Sequence, residues 1–186
     1  MDAIELLHER VSCPVLEDPA PTPEQLEVIF KAALRSPDHG ALRPWRFLTV
    51  QGENRSRLGE LFLKAALSDN PDLSVERQEK IRKMPLRSPL VIVVISANRK
   101  HPKVPVLEQQ ISAGCAAQNI LHAAHALNLG GMWRTGDMAY HPVVKAGLSV
   151  AEQETVVGYI YMGTASKMRK TPQHDILDFV SEWIGS

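Results

Sequence analysis

Apolar residues recur along this chain with two different periods, and each change of period marks a change of element. Thr22-Pro23-Glu24-Gln25 reads as a helix start, with a hydroxyl at the N-cap, Pro at N1 and Gln at N3. Leu26, Ile29, Phe30 and Ala33 follow at i, i+3, i+4 and i+7, which predicts one buried helical face. Asp2 and Glu5 form a similar capping box at the start of the chain, with Ile4, Leu7 and His8 on one face of a short helix ending near Arg10. Leu58, Leu61, Phe62 and Ala65 give an apolar stripe to a helix that begins after Gly52-Glu53-Asn54. Beyond a break at Ser68 to Ser74, Val75 to Lys83 reads as a charged, solvated helix.

Strand periods are equally plain. Leu90 to Ile95 is an unbroken β-branched and aliphatic run, the pattern of a central strand buried on both faces. Trp45 to Val50, Met132-Trp133 and Glu154 to Gly163 are the other predicted strands. Val106 to Leu127 is the longest predicted helix, and its small residues at Ala113 to Ala117 suit close packing in a core or at a dimer interface. Tyr140 to Gly147 reads as one more helix, Asp175 to Ile184 as a terminal amphipathic segment, and Cys13 to Pro21 as a Pro-rich connector. With no repeat or low-complexity tract, the reading is a single α+β domain over residues 1–186.

Charge narrows the classes of partner. Lys and Arg together number 21 and so do Asp and Glu, a balance that argues against nucleic-acid or membrane-surface binding. Two cysteines, Cys13 and Cys115, point to a reducing compartment rather than a disulfide scaffold. With no apolar signal core near the start and no apolar run of about 20 residues, the expectation is a cytoplasmic protein.

The densest chemistry lies in Arg35 to Phe47, which reads Arg-Ser-Pro-Asp-His-Gly-Ala-Leu-Arg-Pro-Trp-Arg-Phe. Pro37 and Pro44 stop the flanking helix and strand from growing inward, leaving a short loop rich in guanidiniums beside an imidazole and an indole. Arg forks suit phosphates and carbonyl oxygens, and Trp offers a stacking face. This loop resembles that of the FMN-dependent nitroreductase family, whose usual form is Ala-Pro-Ser-Ser-x-Asn-x-Gln-Pro-Trp-x-Phe. A subgroup of short-chain, NAD(P)H-dependent members has Asp-His where Asp38-His39 stand here. Met1 to Ser12 and the stretch Gly130-Gly131-Met132-Trp133-Arg134-Thr135-Gly136 resemble that subgroup in the same order along the chain.

The resemblance implies a mostly antiparallel central sheet flanked by helices, and a homodimer with FMN at the subunit interface. It implies that Arg10, Val11 and Ser12 hold the flavin phosphate and ribityl chain, that Gly131, Met132 and Trp133 line the ring, and that Arg35 and His39 reach the flavin across a two-fold axis. Lys167, Arg169 and Lys170 match a basic stretch that reaches the phosphate in other members. The implied activity is ping-pong transfer of hydride from NADH or NADPH, through FMN, to a nitroaromatic, quinone or similar small acceptor. No side-chain acid, base or nucleophile stands out as catalytic.

The chain also departs from the family. Pro14 and Val15 replace a cation that lies near the flavin pyrimidine elsewhere, and Arg35, Arg43 or Arg134 is the substitute on offer. Ala41 and Arg43 replace the amides of the loop. These losses sustain an alternative, a flavin-binding module for storage or sensing without turnover. A metal hydrolase built on His122 and His125 lacks further ligands at a fixed spacing.

Overall fold

A computed structural model describes residues 2–167 and 169–185. Helix α1 (Ala3–Glu9) starts at Asp2, whose carboxylate accepts from the Ile4 and Glu5 N–H groups while Glu5 accepts from the Asp2 N–H. Strand β1 (Leu16–Glu17) and helix α2 (Pro23–Ala33) follow. The reciprocal Thr22–Gln25 bonds form at the start of α2 as the spacing predicts. Strand β2 (Trp45–Gln51), helices α3 (Glu53–Asp69) and α4 (Val75–Arg82), and strand β3 (Leu90–Ser96) come next. Helix α5 (Val106–Ala126), strand β4 (Gly130–Arg134), short helices α6 (Asp137–Tyr140) and α7 (Pro142–Gly147), and strand β5 (Thr155–Ala165) complete the order.

All recorded strand pairs are antiparallel. β3 lies between β2 and β5, and β5 also pairs with β4 and β1. Every residue of β3 is buried, because helices cover both faces of the sheet. Its alternation splits the core in two. Leu90, Ile92 and Val94 pack with Ile29, Ala33 and Ile120 from α2 and α5. Val91, Val93 and Ile95 pack with Leu58, Phe62 and Val144 from α3 and α7. The small stripe of α5 is fully buried at Ala113, Ala116 and Ala117, and the latter two join the core with α2 and the sheet.

Three predictions from periodicity need correction. The connector after Cys13 contains β1, held by pairing of Leu16 with Ala165 and Glu17 with Thr164. The helix expected over Tyr140 to Gly147 is two helices, because His141 is extended (φ −67°, ψ 128°) before Pro142, as a residue preceding proline prefers. His141 becomes the cap of α7, its ring accepting from the Val143 N–H at 3.1 Å. The terminal segment forms only a 3₁₀ turn at Ile176–Asp178, leaving Leu177, Phe179 and Trp183 exposed.

α3 and α4 cross at Gly59, where an added Cβ would lie 2.1 Å from the Arg82 carbonyl oxygen. In a free helix, Gly→Ala gains about 1 kcal/mol. Here the sign reverses, and overpacking makes Gly59→Ala cost about 1–3 kcal/mol in urea unfolding. A stabilised variant would show that the two helices part without cost.

Candidate functional site

The open edge of β4 is where the N-terminal motif and the Gly130–Gly136 stretch meet. The Cys13 N–H donates to the Gly131 carbonyl at 3.0 Å, so the Arg10–Ser12 segment runs beside the strand edge that β5 leaves open. Backbone groups alternate sides along a strand, and Trp133 therefore turns its N–H and C=O the same way as Gly131. The structure thus brings the chain just after Arg10, Val11 and Ser12 to Gly131, at the head of the Gly131–Trp133 stretch and about 120 residues away in sequence.

Each side chain here has a local reason for its place. A Cβ on Gly130 would lie 2.5 Å from Leu16, and one on Gly131 would lie 2.7 Å from Leu121. Both glycines let β4 sit tightly on its neighbours, a packing role that spacing alone did not reveal. The Trp133 indole points to the α5 side and donates from Nε1 to the Val157 carbonyl at 3.3 Å. Met132 and Arg134 line a cavity on the opposite, α3 and α4, side. Arg134 lies over the Tyr161 ring, 5.6 Å from its centroid.

Arg10 is the least satisfied group in the region. Its Nη1 is buried without a hydrogen-bond partner, and the only other such side-chain atom among the described residues is Nε2 of His125. Leaving a charged donor buried and unpaired costs more than leaving a neutral one. His122 and His125 share its surroundings on α5. Burial holds both imidazoles below their ordinary pKa, and the Arg10 charge pushes the same way. His122 Nε2 lies 2.8 Å from the Gln118 amide nitrogen. No cluster of three His, Cys, Asp or Glu side chains suited to a metal occurs among the described residues. The Thr171 hydroxyl meets the Glu9 carbonyl at 3.5 Å, which carries the stretch after β5, with Arg169 and Lys170, past the end of α1.

The loop with Arg35 and His39 is built differently. Asp38 caps it, its carboxylate accepting from the Leu42 and Arg43 N–H groups at 3.1 and 2.6 Å. His39 Nδ1 lies 2.6 Å from Glu108 near the start of α5, while Arg35 is exposed at the end of α2. Glu108 and His122 are fourteen residues apart on α5, roughly 20 Å at 1.5 Å per residue, so His39 and Arg10 do not converge within one subunit. Arg46 is structural: it grips Glu154 with two bonds of 2.8 and 2.6 Å and holds that carboxyl below its ordinary pKa. Sequence reading missed Arg77 and Arg87, which join Arg134 around the cavity from two other elements.

Residues 7–164 match the model of the nitroreductase family. An Escherichia coli (strain K12) protein named "Putative NAD(P)H nitroreductase YdjA" is 41% identical over 164 residues, 88% of each chain. Among solved structures, a nitroreductase-like family protein from Bacillus cereus superposes with a TM-score of 0.84 at 22% identity, covering 100% of this chain and 97% of its own. The FMN-dependent nitroreductase NfnB from Mycobacterium smegmatis, solved in complex with NADPH, gives 0.74 at 16% identity with 97% of both chains covered. With a family match over most of its length and a relative at this level of identity, the chain belongs to the nitroreductase family.

Proposed function

We propose that this protein is an FMN-dependent oxidoreductase that uses NADH or NADPH to reduce a small acceptor such as a nitroaromatic or a quinone. One observation carries the reading: Nη1 of Arg10 is buried and unpartnered, three residues before the Cys13 N–H that bonds to the open edge of β4. A phosphate there would give Nη1 the acceptor it lacks, and the outward N–H of Trp133 would meet a ring atom in the strand plane. The residues therefore fit FMN. Bound FMN supplies the two-electron hydride chemistry, and the protein binds, orients and shields it. Arg10 and Ser12 hold the phosphate end, and the backbone of Gly131 to Trp133 sets the plane of the ring. The nicotinamide and the acceptor use the same exposed side in turn. A cytoplasmic location belongs to this reading, supported by the balanced charge and the two cysteines of the sequence.

The functional unit on this reading is a homodimer with two shared sites. The separation between His39 and Arg10 is resolved when each subunit lends its loop, with Arg35 and His39, to the other's flavin. Ile4 and Leu7 on α1, Leu107 and Ile111 on α5, and Leu177, Phe179 and Trp183 in the tail are all more than half exposed in the single chain. So much apolar surface marks an interaction face, and a second copy is the partner that the divided site requires.

Purified protein reconstituted with FMN is expected to be yellow and to bleach anaerobically on addition of NADH or NADPH. A yellow protein that does not bleach would be a flavin carrier instead. Arg10→Ala removes a charge-assisted contact worth about 1.5–3 kcal/mol, so equilibrium dialysis should show FMN affinity reduced ten- to a hundredfold, with the apoprotein melting no lower than the parent because the unpaired buried donor is gone. Affinity within twofold of the parent would reject Arg10 as the phosphate ligand. Arg10→Ala and His39→Ala chains, each inactive alone, should recover activity when unfolded and refolded together, because one mixed-dimer site is then intact. Proven heterodimers that stay inactive would count against the shared site.

A further inference from the structure

A cavity of about 560 Å³ opens beside the C-terminal half of β4, on the sheet face covered by α3 and α4. That volume falls within the range of small-molecule sites. Phe62, Tyr159, Tyr161, Met84 and Met132 make its walls apolar and aromatic. Three guanidiniums line it, from Arg77, Arg87 and Arg134, against the two carboxylates of Asp69 and Asp137. Asp69 already has a partner, His141 Nε2 at 3.1 Å. None of the three arginines takes part in an ion pair among the described residues, whereas Arg46 and Arg82 do.

Two of these cations converge on one wall. Arg134 covers the Tyr161 ring at 5.6 Å, and the charges of both Arg134 and Arg87 act on the Tyr161 hydroxyl. Burial raises the pKa of that hydroxyl, so the phenol stays neutral and offers the arginines no counter-charge. The Tyr159 hydroxyl is occupied in donating to the Met138 carbonyl at 2.9 Å. An apolar slot with unpaired planar donors at one side selects a flat, apolar body carrying a planar oxyanion.

The geometry points to a binding site for aromatic carboxylates, with the ring against Tyr161 and Met132 and the carboxylate between Arg87 and Arg134. It rests on the flavin reading, because Met132 joins this cavity to the strand assigned to the flavin ring. The electron acceptor is then an aromatic acid bearing a reducible group. For a nitro compound the first step is R–NO2 + NAD(P)H + H+ → R–NO + NAD(P)+ + H2O. One N–O bond breaks, its oxygen leaves as water, and the nicotinamide loses the electron pair.

The test compares 4-nitrobenzoate with nitrobenzene, its neutral counterpart, on FMN-loaded protein. At low salt, kcat/KM should favour the anion by at least tenfold, chiefly through KM, and the preference should shrink as salt screens the charges. Arg77 and Arg87 are exposed, so the Arg77→Gln, Arg87→Gln double variant keeps the fold and should lower the anion-to-neutral ratio about tenfold. Calorimetry without reductant should show 4-nitrobenzoate binding weakened in that variant by a similar factor. Equal kcat/KM and equal affinity for the two compounds, with reduction intact, overturn the carboxylate site and leave the flavin reading standing. A chain that binds no FMN overturns that reading instead, and calorimetry alone then decides whether the cavity prefers the anion. If the double variant slows NADPH oxidation while the acceptor ratio is unmoved, the arginines serve the nucleotide and the assignment fails.

Discussion

The seat of the Trp133 indole governs the geometry of everything around it. Between Val94 and Ile95 the register of β3 against β5 shifts, so that Gly158 and Val156 are paired and Val157 is skipped. A bulge of this kind releases one carbonyl from the ladder, and it is the Val157 carbonyl that accepts the indole N–H at 3.3 Å. Gly158 makes the close approach possible, since a Cβ there would stand 2.2 Å from the indole nitrogen. On the other side the ring reaches Gly114, whose own Cβ would lie 3.8 Å away. With its side chain locked between β5 and α5, β4 has one position. Its outer edge, and the Cys13 N–H that bonds to it just after Arg10–Ser12, take their places from that position.

Electrostatics then sorts the arginines by role. Arg46 is satisfied twice by Glu154 and once by the Ser149 carbonyl at 2.8 Å, which ties β2 to the loop before β5. Because Glu154 titrates below its ordinary range, this clasp is complete above the unfolded carboxylate pKa and is lost as pH falls through the lower folded value. Arg10 has the opposite environment, with a buried nitrogen and two nearby imidazoles whose pKa is lowered by burial and by its own charge. The same residue type therefore fastens the fold in one place and keeps a buried nitrogen without a partner in another. What differs is whether a carboxylate of the chain has been placed within reach.

The sequence made the capped helices and the long strands legible because their signals are local. Thr22 with Gln25 and Asp2 with Glu5 carry their partners three residues away, and the run from Leu90 to Ile95 admits no partly exposed strand. β1 was illegible because two residues have no period, and only its pairing with Ala165 and Thr164 makes it a strand. The break at His141 was legible in principle, since Pro142 follows it, but the apolar residues on both sides hid the signal. Resemblance to a family supplied the candidate residues, whereas the bond from Cys13 to Gly131 supplied their proximity. Arg77, Arg87 and Arg134 lie on separate elements with no spacing between them, and only the folded sheet assembles them around one cavity.

A site divided between subunits couples two equilibria. On the proposed reading, a ligand that touches Arg10 in one chain and His39 in the other binds the dimer and not the monomer, so each process strengthens the other by mass action. His39 is already oriented within its own subunit by Glu108 at 2.6 Å, and Asp38 has fixed the loop backbone. On that reading, association presents an ordered loop to the partner, and little further conformational entropy is lost when the flavin arrives. The tail offers the complementary contribution. Leu177, Phe179 and Trp183 make no regular structure of their own beyond one 3₁₀ turn, so their apolar area is gained only on docking. On the proposed reading, apolar burial drives association, while the polar, preformed loop decides where the cofactor sits.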